Sequence, residues 1–246
     1  LIAGQRFIEP VLSIRTRSVV LVATLLFSLG LQWYVLNYLP LADCLPFKTG
    51  NHLPTQMKPP PGSVPDSFAI RFVYEKGGKQ YEFAPENLPA DFTTYKFIDR
   101  KQSLIRKGNA DAPIKGFTLT NEAKDSVTGN TVDATTLVLT EPRSLLLFAL
   151  DFSDSTWISE AKPLIVNAAK SHIPVYVVSP NIAEAQTAFA RAGVQDVHFF
   201  TTDFTVVRTV ARTNPTVLLL KQGTVAKKWS RNELTEAADS VSSPTL

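Results

Sequence analysis

Few side chains in this sequence are placed to do chemistry. Ser153 and Thr156 lie in Asp151-Phe-Ser-Asp-Ser-Thr156, a polar stretch directly after the apolar run Leu145 to Leu150. A hydroxyl there becomes a nucleophile only with a base beside it, and no histidine is near in sequence. Ser153 is instead expected to cap the helix that follows, its oxygen accepting an orphan backbone N–H. Asn214-Pro215-Thr216 make a turn ahead of a second apolar run, Val217 to Leu220. Cys44 is the one cysteine, so no internal disulfide can form. No cationic residue stands close enough in sequence to activate its thiol. His52, His172 and His198 share no ligand spacing with any Cys, Asp or Glu. No catalytic residue, no metal and no cofactor is therefore expected.

These residues sit in a chain of 246 residues, 44% hydrophobic. That suffices for one good core plus smaller attachments. A formal charge of +3 with scattered basic residues argues against nucleic acid as a partner. The chain begins at Leu1 rather than Met, which we read as the continuation of a longer polypeptide.

The front of the chain reads as a membrane element. Val19 to Leu36 carries no charge, and an apolar helix of roughly 20 residues matches the hydrocarbon thickness of a bilayer. The expected span is 18–39, with Trp33, Tyr34 and Tyr38 at its far end as an interfacial belt and Pro40 as its stop. Arg6, Arg15 and Arg17 precede it, so residues 1–17 are expected in the cytoplasm and everything after residue 40 outside it. The competing readings are a buried helix of a soluble protein and a removable signal peptide. Leu41-Ala-Asp-Cys44 has the outline of a lipobox, but Asp43 stands where that motif needs a small uncharged residue. Cys44 is then a lone thiol at the membrane surface. Seven prolines between Pro40 and Pro65 point to an extended spacer without helix over 40–65; a Pro-rich ligand for a recognition domain is the other reading.

Residues 66–108 read as a small β segment. Phe68 to Tyr74 and Lys79 to Phe83 alternate around Gly77-Gly78, a hairpin signal. Thr93 to Ile98, a turn at Asp99-Arg-Lys-Gln102, and Ser103 to Lys107 suggest a second hairpin and a sheet of four strands. Its tyrosines and phenylalanines fit cross-strand packing better than a binding platform.

From 109 to 234 apolar runs alternate with helical patterns, which predicts a parallel or mixed sheet covered by helices. A polar excursion, Glu122 to Asp133, has turn chemistry at Thr128-Gly-Asn130. Strands are expected at 145–150, 174–179 and 197–200, with a hairpin of 217–220 and 225–229. Helices are expected at 155–171, from about 181 to 192 with Asn181 or Ser179 as cap, and at 203–210 capped by Thr202 or Asp203. Residues 235–246 lack large apolar side chains and are expected to be a flexible tail. The fold class is thus α/β: one N-terminal transmembrane helix, a small antiparallel β segment and a larger α/β domain.

This order, βαβα(β)αββ, resembles thioredoxin-like domains, and Ala112-Pro-Ile-Lys-Gly-Phe117-Thr-Leu119 resembles the Ala-Pro-x-x-x-Phe-x-Leu lead-in of their membrane-tethered oxidoreductase and peroxiredoxin branch. In that family the strand is followed by Trp-Cys-x-x-Cys. The resemblance places Phe152 at the tryptophan, Ser153 at the first cysteine and Thr156 at the second. Both redox sulfurs are then absent, and thiol–disulfide exchange needs a thiolate. Asn214-Pro215-Thr216 matches the family's cis-proline turn. Such a loop is either kept for folding or still presents a backbone edge to a peptide or partner protein.

Over nearly its full length the chain also resembles Bacteroidetes-type membrane proteins of the DoxX/MauE class. Those carry four N-terminal membrane helices, a further helix and a periplasmic thioredoxin-like domain. The resemblance is carried by Leu39 to Gly50, Phe72 to Phe83, Lys96 to Asp99, Pro113 to Thr118, Thr201 to Asp203, Arg212 to Pro215, Leu218 to Val225 and Lys228 to Leu234. It implies a module in the inner membrane with its bulk in the periplasm. The expected role is non-enzymatic, docking a protein partner or completing a membrane complex. The alternative is an accessory of periplasmic thiol or quinone chemistry whose reactive groups lie on a DoxX-type portion outside this chain.

Overall fold

The computed structural model describes residues 14–124 and 131–242. The Thr128-Gly-Asn130 turn and most of the expected cytoplasmic segment fall outside the described residues. Helix α1 (Ile14–Asn37) has 24 residues, about 36 Å at 1.5 Å per residue. It is apolar on all sides and exposed on all sides, with Val19 67%, Phe27 70% and Leu36 69% accessible. Arg15–Asn37 is long and apolar enough to cross a membrane. At its end Tyr34 stacks on Tyr38 with ring centroids 5.3 Å apart, and Trp33 meets Tyr38 edge-on at 5.7 Å.

The chain divides into two compact units, Leu53–Lys115 and the remainder, to which α1 belongs. In the smaller unit, α2 (Leu53–Gln56) is a single helical turn within the stretch expected to be helix-free. Pro54 stands in its first turn, where the missing N–H would have had no partner in any case. β1 (Ser67–Lys76) and β2 (Lys79–Phe83) form the expected hairpin, with φ of 60° at Gly77 and 76° at Gly78. The second hairpin does not exist. β3 (Lys96–Arg106) runs straight through Asp99-Arg-Lys-Gln102 and pairs along the whole of β1, giving a three-stranded sheet in the order β2-β1-β3. The polar run resembles a turn only in its hydrophilic composition. It contains no glycine or proline to reverse the chain, and an exposed strand tolerates charge on both faces. An extra residue at Ile98 is absorbed as a register shift opposite Val73/Tyr74. Tyr74 then lies 5.6 Å from Phe97 and 6.2 Å from Phe83, ring to ring, as cross-strand packing requires.

The ends of this unit are clamped. Asn109 N–H donates to the Val64 carbonyl, Val64 N–H to the Asn109 side chain, and Gly108 N–H to Asp66. A Cβ at Gly108 would stand 2.0 Å from the Val64 carbonyl oxygen.

The larger unit adds β4 (Thr120–Lys124), β5 (Thr131–Asp133), α3 (Thr135–Thr140), β6 (Ser144–Phe148), α4 (Thr156–Glu160), α5 (Lys162–Lys170), β7 (Val175–Ser179), α6 (Ile182–Arg191), β8 (His198–Thr201), α7 (Phe204–Val210), β9 (Thr216–Lys221), β10 (Thr224–Ser230) and α8 (Leu234–Ser242). From β6 on this is the expected strand–helix order. The sheet reads β10-β9-β6-β7-β8-β4-β5 across its width. β6, β7 and β8 are parallel; on the other side of β6, β9 runs antiparallel to it and β10 antiparallel to β9. Every residue of β6 and β7 is buried, because helices cover both faces. Trp157, Ile158, Leu164 and Phe189 fill the core under α4, α5 and α6. The single helix expected over 155–171 is broken between α4 and α5 at Ala161, with Pro163 in the first turn of α5.

Two further expectations fail here. The tail is not flexible within the described residues: α8 packs on α5, and Leu234, Ala237, Ala238 and Val241 are buried. Their spacing is helical, but the residues are mostly small, and a search for large apolar side chains passes over them. The spacer reading fails over residues 43–52. Phe47 is buried against Phe117 with rings 5.5 Å apart, and residues 50–52 pair with the edge of β10. Gly50 N–H donates to Val225 O at 2.8 Å, Val225 N–H donates to Asn51 O at 2.9 Å, and His52 bridges Thr224. Proline frees the chain from helix but leaves the residues between prolines able to join a sheet edge.

Replacing Gly108 with Ala is expected to loosen the clamp and destabilise the smaller unit by about 1–3 kcal/mol, as overpacking does. Hydrogen exchange of the β1–β3 ladder should accelerate, with the core of the larger unit unchanged.

Candidate functional site

The loop after β6 and the loop before β9 meet at the end of the sheet. Asn214 joins them. Its side-chain oxygen accepts from Leu150 N–H at 3.0 Å, and its amide donates to the Asp151 carbonyl at 2.8 Å. The Asn214–Pro215 peptide is cis. The turn behind it is tied by buried threonines: Thr213 donates to the Pro215 carbonyl at 2.7 Å, and Thr216 donates to the Thr213 carbonyl at 2.9 Å. The structure thus brings Asn214, Pro215 and Thr216 beside the loop that holds Ser153 and Thr156.

The hydroxyls of Ser153 and Thr156 are already engaged. Ser153 donates to the Asp151 carboxylate at 2.6 Å. Thr156 donates to the Asp154 carboxylate at 2.6 Å and accepts from the Arg231 guanidinium at 2.8 Å. Arg231 also pairs with Asp154 directly, and its backbone N–H donates to Thr213 at 3.2 Å, which ties this group to the proline turn. Ser153 does not cap a helix. α4 begins at Thr156, and Asp154 accepts that residue's N–H at 3.1 Å. A carboxylate outcompetes a hydroxyl as the acceptor for such a group. The Asp154 carboxyl is held down to about 2 by the Thr156 hydroxyl, then by Arg231 and the Thr156 backbone N–H. The other caps fall within the expected pairs: Asn181 accepts from Glu184 N–H in α6, and Asp203 accepts from Thr205 N–H in α7.

Chemically this is a closed polar network. A nucleophilic oxygen needs a base to take its proton, and each hydroxyl here donates to a carboxylate that is itself hydrogen-bonded or ion-paired to the chain. The histidines lie elsewhere. His52 bridges Thr224, while His172, at φ 53°, and His198 line a separate cavity of about 520 Å³ beyond α5. Among the described residues no group of three His, Cys, Asp or Glu is placed to hold a metal.

Cys44 is exposed and lines a second cavity, of about 330 Å³, where the end of α1 meets the sheet. Arg212, which leads into the proline turn, lines the same cavity. Beside it Asp43 forms an ion pair with Lys228 at 2.9 Å, with 4% of the lysine side chain and 18% of the aspartate exposed. Burial raises the Asp43 carboxyl, but the hydrogen bonds from Lys228 and Leu45 N–H outweigh it and hold it below the usual range. Asp154, Arg231, Lys228 and Arg212 were not identified from the sequence as site residues. Each acts through a partner more than 70 residues away, or across a cavity, and local spacing carries no trace of that.

A family model described as a domain of unknown function (DUF8463) matches residues 68–107, the small β sheet. No curated protein matches the chain. Among solved structures, a thioredoxin-like protein from Aeropyrum pernix is 16% identical, with a TM-score of 0.36 over 51% of this chain and 89% of that one. A thiol:disulfide interchange protein from Bacteroides sp. is 13% identical, with a TM-score of 0.36 over 53% and 90%. Peroxiredoxin Q from Xanthomonas campestris is 14% identical, with a TM-score of 0.35 over 51% and 86%.

Asp154 has a folded-state pKa below its ordinary value of 3.8, so its contribution to order is present above that value and is lost as the pH falls toward about 2. The Asp154 carboxyl carbon should titrate near the lower value by NMR, and Arg231→Gln should move its midpoint upward. Asp43→Asn should cost about 3 kcal/mol in denaturant unfolding, because it leaves the Lys228 ammonium buried without a counter-charge. The double change Asp43→Leu with Lys228→Met should recover most of that loss.

Proposed function

We propose that this chain is a membrane-anchored thioredoxin-like module that works by binding rather than by redox chemistry, as an interaction or assembly subunit of a membrane complex. α1 is its anchor. The arginines before the span support an orientation with the bulk of the chain on the periplasmic side of the inner membrane. The observation that carries the reading is the network at Ser153 and Thr156. The two positions that would hold sulfurs hold hydroxyls, and both are consumed in bonds to Asp151, Asp154 and Arg231. What the fold keeps is the joined pair of loops around Asn214 and Pro215, a surface suited to a partner chain. The DoxX/MauE resemblance favours a membrane complex as the setting.

A second reading is an accessory role in periplasmic thiol or quinone chemistry. It is favoured by one observation, the cavity shared by Cys44 and Arg212. Two experiments separate the readings. Extraction of the intact protein from membranes in mild detergent should recover a stoichiometric protein partner, and recovery of none counts against the assembly role. Cys44→Ser should leave cellular thiol oxidation unchanged with the full-length protein present; a loss of several-fold would instead establish the accessory role.

A further inference from the structure

We infer that the cavity at the end of α1 is a binding site for the headgroup of an anionic phospholipid, with Arg212 as its counter-charge. The inference rests on the reading of α1 as a membrane anchor.

Its position is the first support. The cavity of about 330 Å³ opens beside Val35 and Tyr38, at the last turn of the apolar helix. Trp33, Tyr34 and Tyr38 cluster at this level, and such a belt marks the headgroup layer of a bilayer. Its lining is the second. Val35, Tyr38 and Leu45 give it apolar walls, and Arg212 gives it a cation. A free anion would use only the cation, whereas an amphiphile uses both. Charge is the third. The carboxylate lining the cavity, Asp43, is already paired with Lys228 and accepts Leu45 N–H. The Arg212 side chain is exposed; it lies within electrostatic reach of Asp43 but forms no ion pair with it, so its N–H groups remain open to a ligand. A phosphate meets such a guanidinium in two parallel N–H···O bonds, and the glyceryl end and upper acyl chain then lie along Val35 and Leu45.

The chain's only cysteine lines the same cavity and reports on it. The test is the rate of Cys44 alkylation by an uncharged maleimide, on the full chain in nanodiscs of phosphatidylcholine alone or mixed with phosphatidylglycerol. Phosphatidylglycerol should slow labelling roughly fivefold, the scale of one charge-assisted contact. Arg212→Gln should abolish the difference and Arg212→Lys should keep part of it. Inorganic phosphate added to phosphatidylcholine discs should give no protection. Native mass spectrometry of the wild type should show phosphatidylglycerol retained over phosphatidylcholine, a reading independent of any variant's folding. Equal slowing in wild type and Arg212→Gln would be an effect of surface charge and would overturn the proposal, as would protection by phosphate alone. A chain that never enters the discs refutes the anchor; one that enters and labels alike in both lipids refutes only the headgroup site.

Discussion

The structure depends on burying β6, β7 and most of β9 on both faces at once. Those strands are continuous apolar runs, so neither face can be left to water, and helices must cover both sides. α4, α5, α6 and α7 are the crossovers that do this, and α8 completes the cover over α5. Once the helices are so placed, the loops after β6 and before β9 are forced to the same end of the sheet. The meeting of Ser153, Thr156 and Asn214 follows from that constraint, and the bonds from Asn214 to Leu150 and Asp151 hold it.

At that meeting point the hydroxyls of Ser153 and Thr156 are fixed by carboxylates, and Arg231 closes the group by bonding to Asp154, Thr156 and the Thr213 turn. The network ties the two loops to each other.

The stretch after α1 is the second organising feature. It leaves the helix, places Asp43 against Lys228, seats Phe47 on Phe117 and adds residues 50–52 to the open edge of β10. An exposed edge strand invites pairing with foreign chains, and here the protein's own chain covers part of it. The same stretch, with the end of α1 and Arg212, lines the cavity that holds Cys44.

The sequence alone determined what depends on neighbours a few residues apart. The apolar length of α1, the Gly77-Gly78 hairpin, the alternation of strands and helices from β6 onward, and the caps at Asn181 and Asp203 are all local patterns with local causes. It misled where composition stood in for geometry: Asp99 to Gln102 look like a turn but lie in a strand, and residues 235–242 look loose but pack through small side chains. Tertiary structure decided the rest. Asp43 finds Lys228 across 185 positions and Arg231 finds Asp154 across 77, and Arg212 comes to the cavity of Cys44 from the far end of the chain. Pairings at such separations depend on how whole strands are ordered in the sheet, and no spacing along the chain records that order.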